Sequence, residues 1–148
     1  MREQHMAVVE NSFLKYLNVD SIFDTIRRAD YIFLFYVEEL QKKSGQDEGV
    51  YLSDLAQALN MTIPQASRTA RALQDQDLIL WKTSSDKSRT YVQLTSNAIE
   101  LMNYEEARME EFYDAIADNI DASELEGMLA TMKKIAAIID KKNKESRS

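Results

Sequence analysis

The stretch that decides the fold is YLSDLAQALNMTIPQASRTARALQDQDL, residues 51–78. Apolar residues recur every three or four positions on both sides of Asn60, which predicts two amphipathic helices. Thr62 and Gln65 form a T-x-x-Q capping box, and Pro64 falls in the first turn, where its missing N–H costs nothing. Because so few residues separate the helices, we expect them to cross at a steep angle rather than to lie antiparallel.

Beyond this stretch the pattern changes to two β-prone runs, LILWKT and RTYVQL, which flank the polar connector SSDKS. The runs predict a two-stranded hairpin with a charged tip. An isolated hairpin is marginally stable in water. We therefore expect one of its faces, formed by Ile79 or Leu80 with Val92 and Leu94, to pack on the preceding helices.

Helical patterns flank this centre on both sides. They predict a helix over 3–17, a helical stretch from Ser21, and a helix over 31–43 that is buried on several sides. Two further helices are predicted, one after Thr95 and one from Ser123. With three Gly and one Pro in 148 residues, the expected fold class is mainly α with a small β-hairpin.

Composition excludes several functional classes. The chain has no Cys and one His, and it lacks a Gly-rich phosphate loop, a G-x-S-x-G motif and an H-E-x-x-H motif. We therefore expect no catalytic residues, no metal and no cofactor, and a protein that is not an enzyme. The longest apolar run, 31–37, is far shorter than the roughly 20 residues of a membrane span, so we expect no membrane partner and a cytoplasmic location.

Charge is distributed unevenly along the chain, whose net charge is −7. Residues 50–95 carry five basic and four acidic side chains, whereas the segments before and after them are acidic. The acids over 105–111 are expected to form a solvated face that repels DNA. Because phosphate attraction is screened beyond about 8–10 Å, the central cations favour nucleic-acid binding only if they converge on one surface.

The order helix, tight turn, helix, hairpin is the plan of a winged helix–turn–helix, whose second helix enters the major groove of DNA. Gln and Arg side chains can pair with adenine and guanine edges, Ser can contact phosphate or base, and a helix N-terminus binds phosphate. The predicted DNA-binding residues are Thr62, Gln65, Ser67, Arg68 and Arg71 on this helix, with Lys87 and Arg89 at the hairpin tip. The alternative for the helix is a solvated face on which Arg71 pairs with Asp75.

Residues 52–95 resemble the winged helix–turn–helix of MarR-type transcriptional regulators. In that fold the hairpin is called the wing, and the resemblance includes its acidic residue, Asp86. The chain departs from the family pattern at the end of the recognition helix, where Asp77 replaces a Gly and is expected to adopt the left-handed conformation. In the wing, Ser88 stands at the usual Arg position, so the role of the neighbouring Arg89 is left open.

The resemblance implies an obligate homodimer that binds a near-palindromic operator of double-stranded DNA. It assigns 1–29 and 96–148 to a helical dimerisation region and 30–95 to the DNA-binding lobe. Apolar stripes on the terminal helices agree with a dimer, although they can also pack on each other within one chain. The family's ligand sites lie between these two regions, which suggests a pocket for a small-molecule effector lined by Tyr31, Phe35 and Tyr36. Core packing is the alternative role for these aromatic residues.

The sequence therefore predicts a homodimeric, sequence-specific DNA-binding transcriptional regulator. We expect a repressor whose DNA binding is relieved by a small ligand. The alternative is a winged-helix protein–protein adaptor that uses an acidic surface and binds little DNA. Since one fold can carry either function, the choice depends on the site.

Overall fold

The computed structural model describes residues 18–44, 49–84 and 89–147. The predicted helix over 3–17 lies outside the described residues, and so does Lys87 in the hairpin connector. The chain divides into two compact units, Met1–Met109 and Glu110–Ser148. This division falls inside a helix rather than at residue 95, where we had expected one region to end. The assignment of dimerisation and DNA binding to separate regions stays a prediction.

The described elements follow the expected order. A 3₁₀ turn, Val19–Ile22, precedes α1 (Arg28–Ser44), β1 (Val50–Tyr51), α2 (Leu52–Ala58), α3 (Ile63–Asp75), β2 (Ile79–Thr83), β3 (Thr90–Leu94), α4 (Ser96–Asn119) and α5 (Ala122–Arg147). The mainly helical class with a small β-hairpin is confirmed. The helical stretch predicted from Ser21 is wrong, because the chain forms only the four-residue turn and is not helical over 23–27.

The described strands form a three-stranded antiparallel sheet in the order β1-β3-β2, one strand more than the sequence predicts. Ile79 pairs with Leu94, and Val92 pairs with both Val50 and Trp81. Of the two candidates for the inner face, Ile79 is fully buried and Leu80 is 46% exposed. The buried face lies on a core from α1, α2 and α3 that includes Phe33, Leu34, Val37, Leu55 and Leu73.

Gly49 allows β1 to approach β3. Its φ angle is +122°, a conformation that L side chains rarely adopt. A Cβ atom there would lie 2.5 Å from the carbonyl oxygen of Val92. The third strand therefore depends on a residue without a side chain.

Both helices of the helix–turn–helix end in a Schellman motif that is formed without glycine. After α2, Met61 N donates to the Ala56 carbonyl at 2.8 Å, and Asn60 has a φ angle of 54°. After α3, Leu78 N donates to the Leu73 carbonyl at 3.0 Å, and Asp77 has a φ angle of 61°. The left-handed conformation expected at Asp77 is confirmed.

A buried carboxylate on α4 fixes the segment that leads into α1. Glu105 is fully buried, and its Oε1 accepts hydrogen bonds from Thr25 N and Thr25 Oγ1, both at 2.6 Å. Asp24 N also donates to Glu105, at 3.1 Å to Oε1. The expectation that the acids over 105–111 form a solvated face is therefore wrong for Glu105, whose oxygens bind donors about eighty residues away.

We expect Asn60→Ala to lower the free energy of unfolding by about 1–2 kcal/mol, because a Cβ-bearing residue without a polar side chain is strained in the left-handed region. Asn60→Gly relieves this strain and is expected to change the free energy of unfolding by only about a few tenths of a kcal/mol. Urea unfolding at one fixed protein concentration measures both. Gln57→Ala, at an exposed site in right-handed helix, is the control. Equal effects of Ala and Gly at position 60 would contradict the left-handed backbone conformation of Asn60.

Glu105→Ala is expected to lower the free energy of unfolding by about 2–3 kcal/mol, because hydrogen bonds to a charged acceptor are lost. Glu106→Ala, which removes an exposed carboxylate on the same helix, is the matched control and should have little effect. Thermal unfolding followed by circular dichroism compares the two variants. Similar melting temperatures for both would show that the buried carboxylate does not hold the 23–27 segment.

Candidate nucleic-acid interface

The N-terminus of α3 carries the predicted capping box. Gln65 N donates to Thr62 Oγ1 at 3.2 Å, and Thr62 N donates to Gln65 Oε1 at 2.9 Å. Both side chains thus contribute to the start of the helix. A bidentate pairing of the Gln65 amide with adenine would require its oxygen to leave Thr62 N, so these residues have a structural role whether or not they contact DNA.

The outer face of α3 presents Arg68. The helix buries Ala66, Ala70 and Leu73 against the core, and the two alanines are small enough to allow close packing there. Arg68 lies on the opposite, exposed side and forms no hydrogen bond or ion pair with any described residue. Ser67 is half-buried beside it. The Arg68 guanidinium can therefore bind a ligand without first breaking a contact within the described part of the chain.

Arg71 lies on an aromatic ring of the hairpin rather than beside a carboxylate. Its guanidinium carbon is 5.5 Å from the centroid of the Trp81 ring. Among the described residues it forms no ion pair, so the alternative pairing with Asp75 is not the one that the structure shows. One turn further along α3, Gln74 Oε1 accepts a hydrogen bond from Trp81 N at 3.0 Å.

Arg89 packs at the base of the hairpin connector. Its guanidinium carbon lies 4.4 Å from the centroid of the Tyr51 ring, and the Tyr51 and Tyr91 rings meet edge to face at 6.4 Å. Ser84 N donates to the Arg89 carbonyl at 2.8 Å and Arg89 N donates to Ser84 Oγ at 3.1 Å, which closes the two strands. Stacking on Tyr51 places this cation on the outer face of the sheet.

Sequence reasoning missed three residues of this surface. Trp81 and Gln74 connect α3 to β2, and Lys82 is an exposed cation opposite Tyr91. The alternation of the strand does mark Lys82 as lying on the face opposite Ile79. Trp81 and Gln74 could be recognised only once the register between α3 and β2 was known.

A pocket of about 860 Å³ lies between the 20–33 segment and the α2–α3 turn. Phe23, Leu59 and Met61 contribute apolar walls. Arg27 at its edge pairs with Asp30 at 3.1 Å, and its side chain is largely exposed.

The three predicted effector residues do not line this pocket. Tyr31 is buried with its ring 5.2 Å from that of Phe23, and burial together with nearby carboxylates raises the pKa of its phenol. Phe35 is 41% exposed and meets Tyr36 edge to face at 5.9 Å. Tyr31 therefore packs in the core. A role of Tyr31, Phe35 and Tyr36 in ligand binding stays a prediction.

The described residues contain no group of three or more His, Cys, Asp or Glu side chains that could hold a metal ion. No helix formed by them combines the length and hydropathy that crossing a membrane requires.

No family model matches the sequence, and no curated protein matches it either. Solved structures of MepR from Staphylococcus aureus are similar. MepR, a transcription regulator of the multidrug efflux pump MepA, is 22% identical with a TM-score of 0.58 over 94% of this chain and 93% of that one. A MepR–DNA complex is 22% identical with a TM-score of 0.57, covering 94% and 91% of the two chains. MepR bound to ethidium bromide is 21% identical with a TM-score of 0.56, covering 92% and 95%. This likeness shows that the chain shares the fold of these structures, and the predicted fold class, mainly helical with a small antiparallel sheet, is confirmed.

Proposed function

We propose that the protein is a homodimeric, sequence-specific DNA-binding transcriptional regulator of the MarR type. The observation that carries this proposal is the exposed Arg68 on α3, which has no partner among the described residues. The neighbouring hairpin adds the cations Lys82 and Arg89. In a winged helix–turn–helix, α3 inserts into the major groove and the hairpin lies against the adjacent backbone.

Local charge supports this orientation. The first turn of α3 contains no acidic side chain, so the positive end of the helix dipole and its N–H groups favour a phosphate. The acids of the chain are concentrated elsewhere, in residues 1–49 and 96–148. The cations around α3 therefore form the surface that is best suited to a polyanion.

The second unit supports a dimer. None of the described residues of α5 is buried. Large apolar side chains at helical spacing remain exposed: Phe112, Tyr113, Ile116 and Ile120 on α4, and Met128, Leu129, Met132, Ile135, Ile138 and Ile139 on α5. Apolar surface of this extent marks an interface, and a second copy of the chain offers a matching one. Two recognition helices then require an operator with two half-sites about one helical turn apart.

Repression by occupancy of the operator, relieved by a ligand, is the mode of control that we propose. The pocket beside the α2–α3 turn has room for a small aromatic molecule, and Arg27 can pair with an acidic group on it. Because Leu59 and Met61 line the pocket next to the start of α3, a ligand there would shift the recognition helix. MepR has been solved with ethidium bromide, an aromatic compound, which supports a pocket of this kind.

We expect the affinity for a selected operator to fall steeply with salt. A dimer that contacts about 6–10 phosphates should lose roughly 10³–10⁵ in affinity between about 50 and 200 mM salt. Fluorescence anisotropy of labelled fragments, first enriched from random genomic DNA, measures the slope. A binding constant that does not change with salt would contradict DNA contact through these cations. If no fragment is retained at about 0.1 M salt, the adaptor function is favoured instead.

Arg68→Ala should weaken binding to the best operator by about 1–3 kcal/mol and relax base preference at one position of each half-site, because a bidentate guanine contact is lost. Arg68→Lys keeps the charge but not the planar fork, so it should restore affinity only in part. Lys42→Ala, which removes an exposed cation of α1 that pairs with Glu38, is the control. Unchanged operator affinity in Arg68→Ala with a normal melting temperature would remove this residue from the interface.

A further inference from the structure

We propose that Trp81 is a positioning residue that holds Arg71 against a DNA phosphate, so that the two arginines of α3 have different tasks. Arg68 reads base edges, whereas Arg71 grips the backbone independently of sequence. This inference rests on the proposed function and assigns roles within the same surface. It depends on how α3 is fastened to the hairpin.

Two contacts, one turn apart on α3, fasten that helix to a single residue of β2. Arg71 lies over the Trp81 ring with its guanidinium carbon 5.5 Å from the centroid. Gln74 Oε1 accepts a hydrogen bond from Trp81 N at 3.0 Å. Since positions 71 and 74 lie on the same side of a helix, both contacts act together. The recognition helix and the wing therefore keep a fixed spacing.

The sheet order explains why the Trp81 N–H is available. Strand β2 is at the edge of the sheet, with β3 on one side and α3 on the other. Trp81 pairs with Val92 in the ladder, and its N–H donates outwards to Gln74. An edge donor that would otherwise bind water is thus used to attach the wing to the helix.

The position of Arg71 points to phosphate rather than to bases. It lies between α3 and β2, the elements that enter the major groove and approach the neighbouring backbone in a winged-helix complex. In the complex that we propose, the sugar–phosphate strand that borders the major groove runs between those elements. Arg68, one turn closer to the start of α3, is exposed and makes no ring contact with any described aromatic residue.

The contact with the ring leaves the N–H groups of Arg71 available. The guanidinium has five N–H donors, and none of them forms a hydrogen bond or ion pair with a described residue, so a phosphate can bind while the cation–π contact is kept. The ring also restricts the rotamers of Arg71 before DNA binds, which reduces the entropy lost on binding. No carboxylate among the described residues has to be displaced first.

The stacking itself can be tested without DNA. Trp81 is the only tryptophan in the sequence, so intrinsic tryptophan emission reports on this ring alone. Arg71→Ala should change the intensity and wavelength of that emission in the free protein, whereas Arg68→Ala should leave both unchanged. Operator binding should change the emission of the wild type. Identical spectra for the wild type and Arg71→Ala would overturn the proposal.

The positioning role is tested by a double-mutant cycle measured as operator affinity. Trp81→Leu should weaken binding about two- to tenfold without changing the salt slope, because the charge of Arg71 is kept. Trp81→Phe restores a ring face and should recover most of the loss. Arg71→Ala should weaken binding to matched and mismatched operators by the same factor and reduce the salt slope by about one per subunit. In the Arg71→Ala background, Trp81→Leu should have no further effect.

Each contrary outcome has a distinct meaning. If Trp81→Leu weakens binding equally with and without Arg71, the residue supports the fold and does not position the arginine. If Arg71→Ala relaxes base preference as Arg68→Ala does, Arg71 reads bases and the division of tasks is wrong. Titration of the active fraction and the melting temperature separate these results from misfolding. If the wild type binds no DNA, the proposed function fails with the inference, whereas failure of the cycle alone leaves DNA binding intact.

Discussion

Asp77 joins α3, the β2–β3 hairpin and α4 at one point. Its left-handed backbone ends α3 and turns the chain into β2. Its carbonyl accepts a hydrogen bond from Thr95 Oγ1 at 2.7 Å, and its carboxylate accepts one from Asn97 Nδ2 at 2.6 Å. A glycine would adopt the same φ angle with less strain but would lose the bond to Asn97. Since helix and hairpin both diverge from this residue, the distance between their cations depends on it.

Features of the fold that depend on neighbouring residues were predictable from the sequence. Thr62 and Gln65 of the capping box are three positions apart, and strand β2 alternates between the buried Ile79 and the exposed Leu80 and Lys82, as expected of a sheet with one buried face. Strand β1 could not be predicted, because two residues carry no periodicity and pair with residues some forty positions away. The burial of Glu105 was equally hidden. Its partners, Asp24 and Thr25, lie about eighty residues earlier, so its spacing among other acids indicated only a solvated face.

The candidate site was predictable as a set of side chains and not as an arrangement. Helical spacing and the capping box indicated that Arg68 and Arg71 share an outer face of α3. Their different surroundings follow from the register between α3 and β2, which no local pattern encodes, and it is this register that puts a ring under Arg71. For the same reason the position of Arg89 on Tyr51 was left open, since the ring comes from a strand that sequence analysis missed.

The net charge of −7 is compatible with binding to DNA, because contacts with phosphate depend on nearby charges whereas sequence-independent attraction depends on the whole surface that faces the duplex. At physiological salt, charges more than about 8–10 Å from a phosphate are screened, so acidic residues farther than this from a bound duplex have little effect on contacts at α3. Acidic residues do reduce sequence-independent attraction, which depends on the sum of all charges near the duplex. If the protein has the function that we propose, a few cations held by aromatic rings contribute only where phosphates and bases occupy the right positions. The proposed function therefore predicts a low affinity for random DNA and a specificity that depends on geometry instead of total charge.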